Sequence, residues 1–225
     1  MVTEKSVILF SSCSLDIYNK PLYCIERTFN FIWFNMTKKV TDKRQAVLDA
    51  ALELIVEFGF HGAAMSKVAK RAGVSAGIIY HYFKNKDDLI SQLYIEVKQR
   101  VAKALMKTLN TDLPLRTQIQ GICREMFTYN LTHQKEAKFI EQYYSSPYFT
   151  GEVDGKCLEF FAPVIEIFDR AVAEKIIKDL PRQVYQTFIV DVANGLAKKQ
   201  AIGVLELTDD LINQVINATW EALRL

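Results

Sequence analysis

An all-α fold is predicted, with a small N-terminal three-helix domain built around a helix-turn-helix and a larger helical C-terminal domain. Three observations carry that prediction. Only 9 Gly and 5 Pro punctuate 225 residues, too few for a sandwich of short strands and turns. Half of the residues are apolar and 24% are charged, which provides a sizeable core and rules out wholesale disorder. From Thr41 onward the apolar residues recur at helical spacing, in blocks separated by Gly, Pro, Asn and Ser.

The first 35 residues differ from the rest. They lack helical periodicity and cap logic, and they hold the aromatic cluster Phe29, Phe31, Ile32, Trp33 and Phe34. Met36 then opens the basic arm Thr37-Lys38-Lys39. The expectation is that 1–35 is an extension outside the folded unit, with Met36 as the true start. The other reading is a genuine extension that lays its aromatics on the body. The apolar stretch Val7 to Phe10 ahead of Cys13 is too short for a signal-peptide core. Cys13, Cys24, Cys123 and Cys157 form no CxxC pair and have no His at finger spacing. Neither structural zinc nor a disulfide scaffold is expected, and the location expected is the cytoplasm. No apolar run reaches 18 residues, so no membrane span is expected.

From Thr41, residues Ala46, Val47, Ala50, Ala51, Leu54, Ile55 and Phe58 form one broad apolar stripe. Thr41 or Asp42 serves as N-cap and Gly59 as a left-handed stop. A short helix follows over 65–72, ended by Gly73, and another over 75–82 with Ser75 as its N-cap. Asn85 then caps a long helix whose first turn carries Asp87 and Asp88, favourable at the positive end of the macrodipole. It runs to about Leu109, where Asn110 to Pro114 breaks it. Further helices are predicted over 115–132, 135–145, 157–178, 182–200 and 208–223, with breaks at Ser145 to Pro147, Gly151 to Gly155, Leu180-Pro181 and Gly203.

The two short helices, joined through Ala72-Gly73-Val74-Ser75, read as a helix-turn-helix. Gly73 supplies the positive φ of the tight turn, Val74 plugs the angle between the helices, and Ala69 permits their close approach. Such a unit projects the first turn of its second helix into a DNA major groove. Charge agrees. Between His61 and Lys86 lie Lys67, Lys70, Arg71, Lys84 and Lys86, with no Asp or Glu. Residues 36–88 hold 9 basic and 6 acidic side chains, whereas 1–35 hold 3 and 3, and 89–225 hold 16 and 17. The positive excess sits around the turn, as a phosphate-binding surface requires.

Ala46 to Leu89 resembles the N-terminal domain of TetR-type transcriptional regulators. The likeness runs through Val47 to Ala51, Phe58-Gly59-Phe60, Val68-Ala69, Ala72 to Ser75, Gly77, Tyr80, Tyr82-Phe83 and Lys86-Asp87. Two positions depart from it. Ala64 stands where the family has Thr, weakening an N-cap unless Ser66 substitutes, and Ile78 stands where Thr commonly follows Gly77. Ile78 has lost a hydroxyl for phosphate or base and gained a surface for a thymine methyl. The resemblance, with the charge pattern, nominates Ser66, Lys67, Arg71, Ser75, Ala76, Gly77, Ile78, Tyr80, His81, Tyr82 and Lys86 as DNA-contacting residues. Phe83 is expected in the core. Tyr82 has two readings, phosphate contact or packing, and His81 three: base reader, phosphate ligand or simply exposed.

The resemblance further implies that residues 89–225 bind a small-molecule effector and form a homodimer. The aromatics Phe127, Phe139, Tyr143, Tyr144, Phe149, Phe160 and Phe161 are the candidate effector pocket. Two apolar stripes are the candidate dimer interface: Val184, Phe188, Val192 and Leu196, and Leu211, Val215 and Thr219 with Ile212, Ile216 and Leu223. Paired across two subunits they form a four-helix bundle, where Gly195 permits close approach. The implied partners are a pseudo-palindromic double-stranded operator, the effector and a second copy, with no cofactor and no metal. An effector would shift the long helix that begins near Asp87 and release the DNA, which makes a repressor the expected sense of regulation.

An enzyme is not expected. His61, His81 and His133 are scattered, and GxSxG, Walker, HExxH and dinucleotide signatures are missing. Glu136, Glu141 and Glu152 read as ordinary helix-surface acids. The other reading is a helical protein-interaction module that does not recognise DNA sequence; the charge segregation argues against it. Deleting residues 1–35 is expected to leave folding and DNA binding unchanged, checked by circular dichroism and gel shift beside the full chain. Loss of either would refute Met36 as the start.

Overall fold

The computed structural model describes residues 43–225, and residues 44–225 form one compact unit. The readings of 1–35 and the expected N-cap at Thr41 or Asp42 lie outside the described residues. All regular elements in that range are helices. Helix α1 covers 43–62, followed by α2 (Met65–Ala72), α3 (Ala76–Tyr82), α4 (Lys86–Thr108), α5 (Leu115–Thr132) and α6 (Gln134–Tyr144). Then come α7 (Gly151–Cys157), a 3-10 turn (Leu158–Phe161), α8 (Ala162–Ala173), α9 (Arg182–Gln186), a π turn (Thr187–Asp191), α10 (Val192–Ala201) and α11 (Asp209–Leu223).

Local chemistry accounts for most boundaries. Asn85 accepts a hydrogen bond from the Asp88 amide at 2.8 Å while the Asp88 carboxylate accepts one from the Lys84 amide at 2.8 Å. This reciprocal pair satisfies two backbone donors at the start of α4. Thr208 caps α11 through the Leu211 amide, and Pro163 near the start of α8 costs no helical bond.

Three boundaries differ from the sequence prediction. Gly59 does take a left-handed conformation (φ 70°), yet α1 continues to residue 62 beyond it. Gly151 to Gly155 is a helix rather than a break, because Thr150 accepts from the Val153 amide and starts it despite the two glycines. The helix expected over 157–178 begins only at Ala162 and stops at Ala173. Its end is closed by Glu174 N–H to Arg170 O and by Lys175, a non-glycine at φ 56°. The main chain then pairs with the C-terminus, Lys178 donating to Leu223 O at 2.8 Å.

Apolar burial organises the molecule around two cores. The first unites α1, α2, α3 and the N-terminal half of α4 (Leu89 to Val97) with Phe139 and Tyr143 of α6 and Cys157 of α7. The second gathers Val101 and Leu105 of α4 with α5, α8, the α9–α10 segment and α11. The expected domain boundary at 88 therefore falls in the first turn of α4, and α4 serves both cores.

The three acids that look alike in sequence part company here. Glu141 pairs with Lys198, and Glu152 with Lys156, in exposed bridges. Glu136 is only 6% exposed, which corrects its reading as a surface acid. Its carboxylate takes the Arg100 guanidinium at 2.6 Å and the Tyr129 hydroxyl. Arg100 also reaches Asp49 of α1, so the network joins α1, α4, α5 and α6. Burial and the carboxylate hydrogen bond both push the Tyr129 phenol well above its usual range. Glu136→Ala orphans the Tyr129 hydroxyl and removes the most buried partner of Arg100, and is expected to cost about 2–3 kcal/mol. Glu141→Ala is expected to cost under about 1 kcal/mol. Urea unfolding of both variants checks the contrast.

Candidate nucleic-acid interface

The turn between α2 and α3 is built by backbone hydrogen bonds around Gly73 (φ 65°, ψ 31°). Gly73 N–H donates to Lys70 O at 3.3 Å and Val74 N–H to Ala69 O at 3.0 Å. This is a complete Schellman closure, and the left-handed residue at its centre is one only glycine adopts freely. Val74 is half-buried against the first core, where the sequence puts it. Ala64 stands at the N-cap of α2 with no side-chain bond, and Ser66 is exposed rather than acting as a substitute cap. Ser75 occupies the N-cap of α3, but its hydroxyl makes no cap bond, contrary to expectation. The Ile78 amide bonds the Ser75 carbonyl instead, at 3.0 Å.

Helix α3 is anchored from one side. Ile79 and the following Phe83 are each 1% exposed, and Arg44 of α1 lies 5.7 Å above the Phe83 ring. The opposite side is open. Ser75, Ala76, Gly77 and His81 are exposed, and Tyr80 is 57% exposed, while Ile78 and Tyr82 are half-buried. His81 and Tyr82 meet edge to face at 5.1 Å. A Cβ on Gly77 would meet nothing closer than Ser75 Oγ at 4.0 Å, so packing within the chain does not demand glycine there.

The five cations of this segment are not equivalent. Lys67, Lys70 and Lys84 are exposed and have no ion pair among the described residues. Arg71 is shared between Glu53 at 3.3 Å and Glu57 at 3.5 Å, both on α1. Lys135 of α6 also bonds Glu53, at 2.6 Å; its hydrogen bond, then that of Arg71, holds the Glu53 carboxyl below its usual range. Lys86 is half-buried and donates to Phe60 O at 2.6 Å, fastening the end of α1 to the start of α4.

The seven aromatics expected to line one pocket do not form one wall. Phe127 lies in the second core and Phe161 packs against it, whereas Phe139, Tyr143 and Phe160 belong with the first. Phe139 and Tyr143 are fully buried there because α6 inserts them beside Phe60 and Tyr94. Tyr143, Tyr144 and Phe149 do meet, with Phe149 6.1 Å from Tyr143 and 5.2 Å from Tyr144. Sequence reasoning missed Tyr94, Lys98 and Asp154, which meet that group. Tyr94 and Lys98 stand one turn apart on α4, but nothing in their spacing reveals a partner on α7.

Among the proposed interface residues, Val184, Phe188, Val192, Leu196, Leu211 and Val215 are half-buried. The fully buried stripe of the same segment is Tyr185, Ile189, Ala193 and Ala197, one residue further on. Thr219, Ile212, Ile216 and Leu223 are buried within the protomer, at 7% exposed or less, which corrects their place in the interface stripe; Ile212, Ile216 and Leu223 belong to the second core. No helix among the described residues is long and apolar enough to cross a membrane.

The family model for bacterial regulatory proteins of the tetR family matches residues 47–93, and a tetracyclin repressor-like C-terminal domain model matches 114–224. Over 59 residues the chain is 48% identical to the fatty acid metabolism regulator protein of Bacillus subtilis (strain 168), a match covering 26% of this chain and 30% of that one. The chain spans between about a third and a half of the length of the curated relatives it matches. A TetR family protein from Vibrio parahaemolyticus superposes with a TM-score of 0.71 at 29% identity, over 81% of this chain and 99% of that one. A TetR family transcription regulator from Marinobacter aquaeolei VT8 reaches 0.77 at 23% identity, over 84% and 98%.

Proposed function

The chain belongs to the tetR family of bacterial regulatory proteins, with a helix-turn-helix domain ahead of a helical C-terminal region, and from that premise we propose that it is a DNA-binding transcriptional repressor. It acts as a homodimer on a pseudo-palindromic operator with half-sites about 34–36 Å apart, or a multiple of that turn. A small, largely apolar or aromatic effector, held near α4, α6 and α7, releases it. The observation that carries the DNA reading is the division of α3. Ile79 and Phe83 fix the helix from behind, while Ser75, Ala76, Gly77, Tyr80 and His81 are presented together on its open side.

Each nominated residue has a part in this reading. Tyr80 and Ile78 meet base edges, Tyr by hydrogen bonding or stacking and Ile through a thymine methyl. Gly77 and Ala76 let the helix approach the backbone closely, which explains a glycine that packing does not require. Lys67, Ser66, Ser75, His81 and Tyr82 serve phosphates. Arg71 exchanges its exposed partners Glu53 and Glu57 for phosphate at little cost, since such pairs are each worth under about 1 kcal/mol. Lys86 serves first as a positioning residue in this reading, because its half-buried ammonium holds Phe60 O and fastens α1 to α4. The half-buried stripes at Val184 to Leu196 and Leu211 to Val215 supply the subunit contact.

Fragments of the source genome selected by the purified protein identify the operator, and failure to enrich any sequence would favour the protein-interaction reading. On that operator, Tyr80→Ala is expected to cost roughly 1–3 kcal/mol and to erode discrimination against random DNA. Lys67→Ala is expected to weaken all sequences alike and reduce the salt slope by about 0.9. Lys86→Ala is expected to lower the melting temperature and leave the slope unchanged. Binding measured at several salt concentrations separates the three.

The dimer has its own test. Phe188→Glu puts a carboxylate in the proposed interface and is expected to give monomers by sedimentation with the helical circular dichroism retained. A fully dimeric Phe188→Glu protein would move the interface elsewhere.

A further inference from the structure

Lys98 of α4 occupies an unusual place for an ammonium. Its Nζ lies 5.1 Å from the centre of the Phe161 ring, 5.7 Å from Tyr94 and 5.9 Å from Tyr144. The Tyr144 hydroxyl is 3.3 Å away and the Asp154 carboxylate 3.8 Å. Asp154 in turn accepts hydrogen bonds from Tyr94 at 2.5 Å and Tyr144 at 3.4 Å. Three aromatic faces and a carboxylate arranged around one point are the elements that recognise an ammonium group, through ring quadrupoles and charge. The cage is assembled from α4, α6, α7 and the 3-10 turn, four separate elements.

Tyr143 adds a second, independent sign. It stacks face to face on Tyr94, with ring centres 4.0 Å apart and an interplanar angle of 15°, and it is fully buried. Its hydroxyl has no hydrogen-bond partner of good geometry, although Ser91 is close enough to act on it, and Asp154, Cys157 and Tyr144 are its other polar neighbours. With Ser91 as its one close partner, and that at poor geometry, the hydroxyl keeps hydrogen-bonding capacity for a bound polar group.

We propose that the cage of Tyr94, Tyr144, Phe161 and Asp154 is the receptor for the effector's ammonium group, and that Lys98 fills it as an internal substitute. The inference rests on the regulator reading above and names the chemical class of its effector: an apolar or aromatic molecule carrying a quaternary or protonated amine. Charge makes the exchange feasible, because one cation replaces another beside Asp154 while the Lys98 ammonium moves into water. The exchange is also consequential. Tyr94 and Lys98 directly follow Leu93 and Val97 on α4, which pack in the same core as α1 to α3, and the cage ties that helix to α6 and α7.

The sign of the Lys98 effect tests the class. Isothermal titration would compare benzyltrimethylammonium, its uncharged isostere neopentylbenzene, and phenylacetate against the full chain and its variants. The full chain is expected to bind the ammonium at least tenfold tighter than the isostere. Lys98→Met removes the internal ammonium and is expected to tighten ammonium binding about tenfold, whereas Asp154→Asn weakens it about tenfold. Lys98→Gln, with near-ultraviolet circular dichroism on every variant, guards against a folding defect in Lys98→Met. Three results would each overturn the proposal: tightest binding of phenylacetate with loss in both Lys98 variants, equal binding of the ammonium and its isostere, or no binding of any probe. Operator selection uses no effector, so an operator found beside any of these results would leave the regulator reading standing.

Discussion

Helix α4 is the constraint on which everything else in this molecule depends. Its 23 residues span about 35 Å, long enough for one end to be built into one core and the other end into a second. Leu89, Ile90, Leu93, Tyr94 and Val97 close the core of α1 to α3, and Val101 and Leu105 enter the core of α5, α8, α10 and α11. Burial of each such side chain is worth about 1.5–3 kcal/mol, so neither end detaches without a large loss. A rigid rod fixed at both ends passes a displacement at its middle to the helices at its end. Tyr94 and Lys98 stand at that middle.

The N-terminal architecture was legible because its signals are local. The Gly73 turn, the Val74 plug, the Asn85 cap and the burial of Phe83 all follow from residues within a few positions of one another. Charge was legible only as a sum. The sequence shows five cations near the turn, but it does not show that Glu53 and Glu57 engage Arg71 from an earlier helix or that the Lys86 ammonium donates to Phe60 O. Periodicity likewise found the two apolar stripes near the C-terminus. It could not tell which of two adjacent stripes, Val184 to Leu196 or Tyr185 to Ala197, turns inward, because both repeat every four residues.

The region around α6 was the least legible, and the reason is physical. Its aromatics read as pocket walls because nothing nearby in sequence could bury them. The partners are remote: Phe60 of α1 for Phe139, Tyr94 of α4 for Tyr143, and Tyr94 and Lys98 of α4 for Tyr144. Glu136 reads as a surface acid for the same reason, since its Arg100 partner lies 36 residues away on α4. A side chain whose burial comes from contacts dozens of residues away leaves no mark on local periodicity.

Two kinds of contact run from α6 toward the helix-turn-helix, and their magnitudes decide which can carry a signal. One is the chain of charges from Lys135 through Glu53 to Arg71, all substantially exposed. Pairs of this kind contribute under about 1 kcal/mol each and weaken further with salt, so they adjust local charge more than helix position. The other is packing. Phe139, Tyr143 and Cys157 are fully buried among the residues that hold α1 to α3. Removing a buried Phe side chain typically costs about 3–5 kcal/mol. A close-packed core has no compliant place to absorb a shift of α6 or α7, so it moves with them or reorganises. The proposed release of DNA by an effector therefore runs through packing, and it enters the first core through the aromatic side chains of α6.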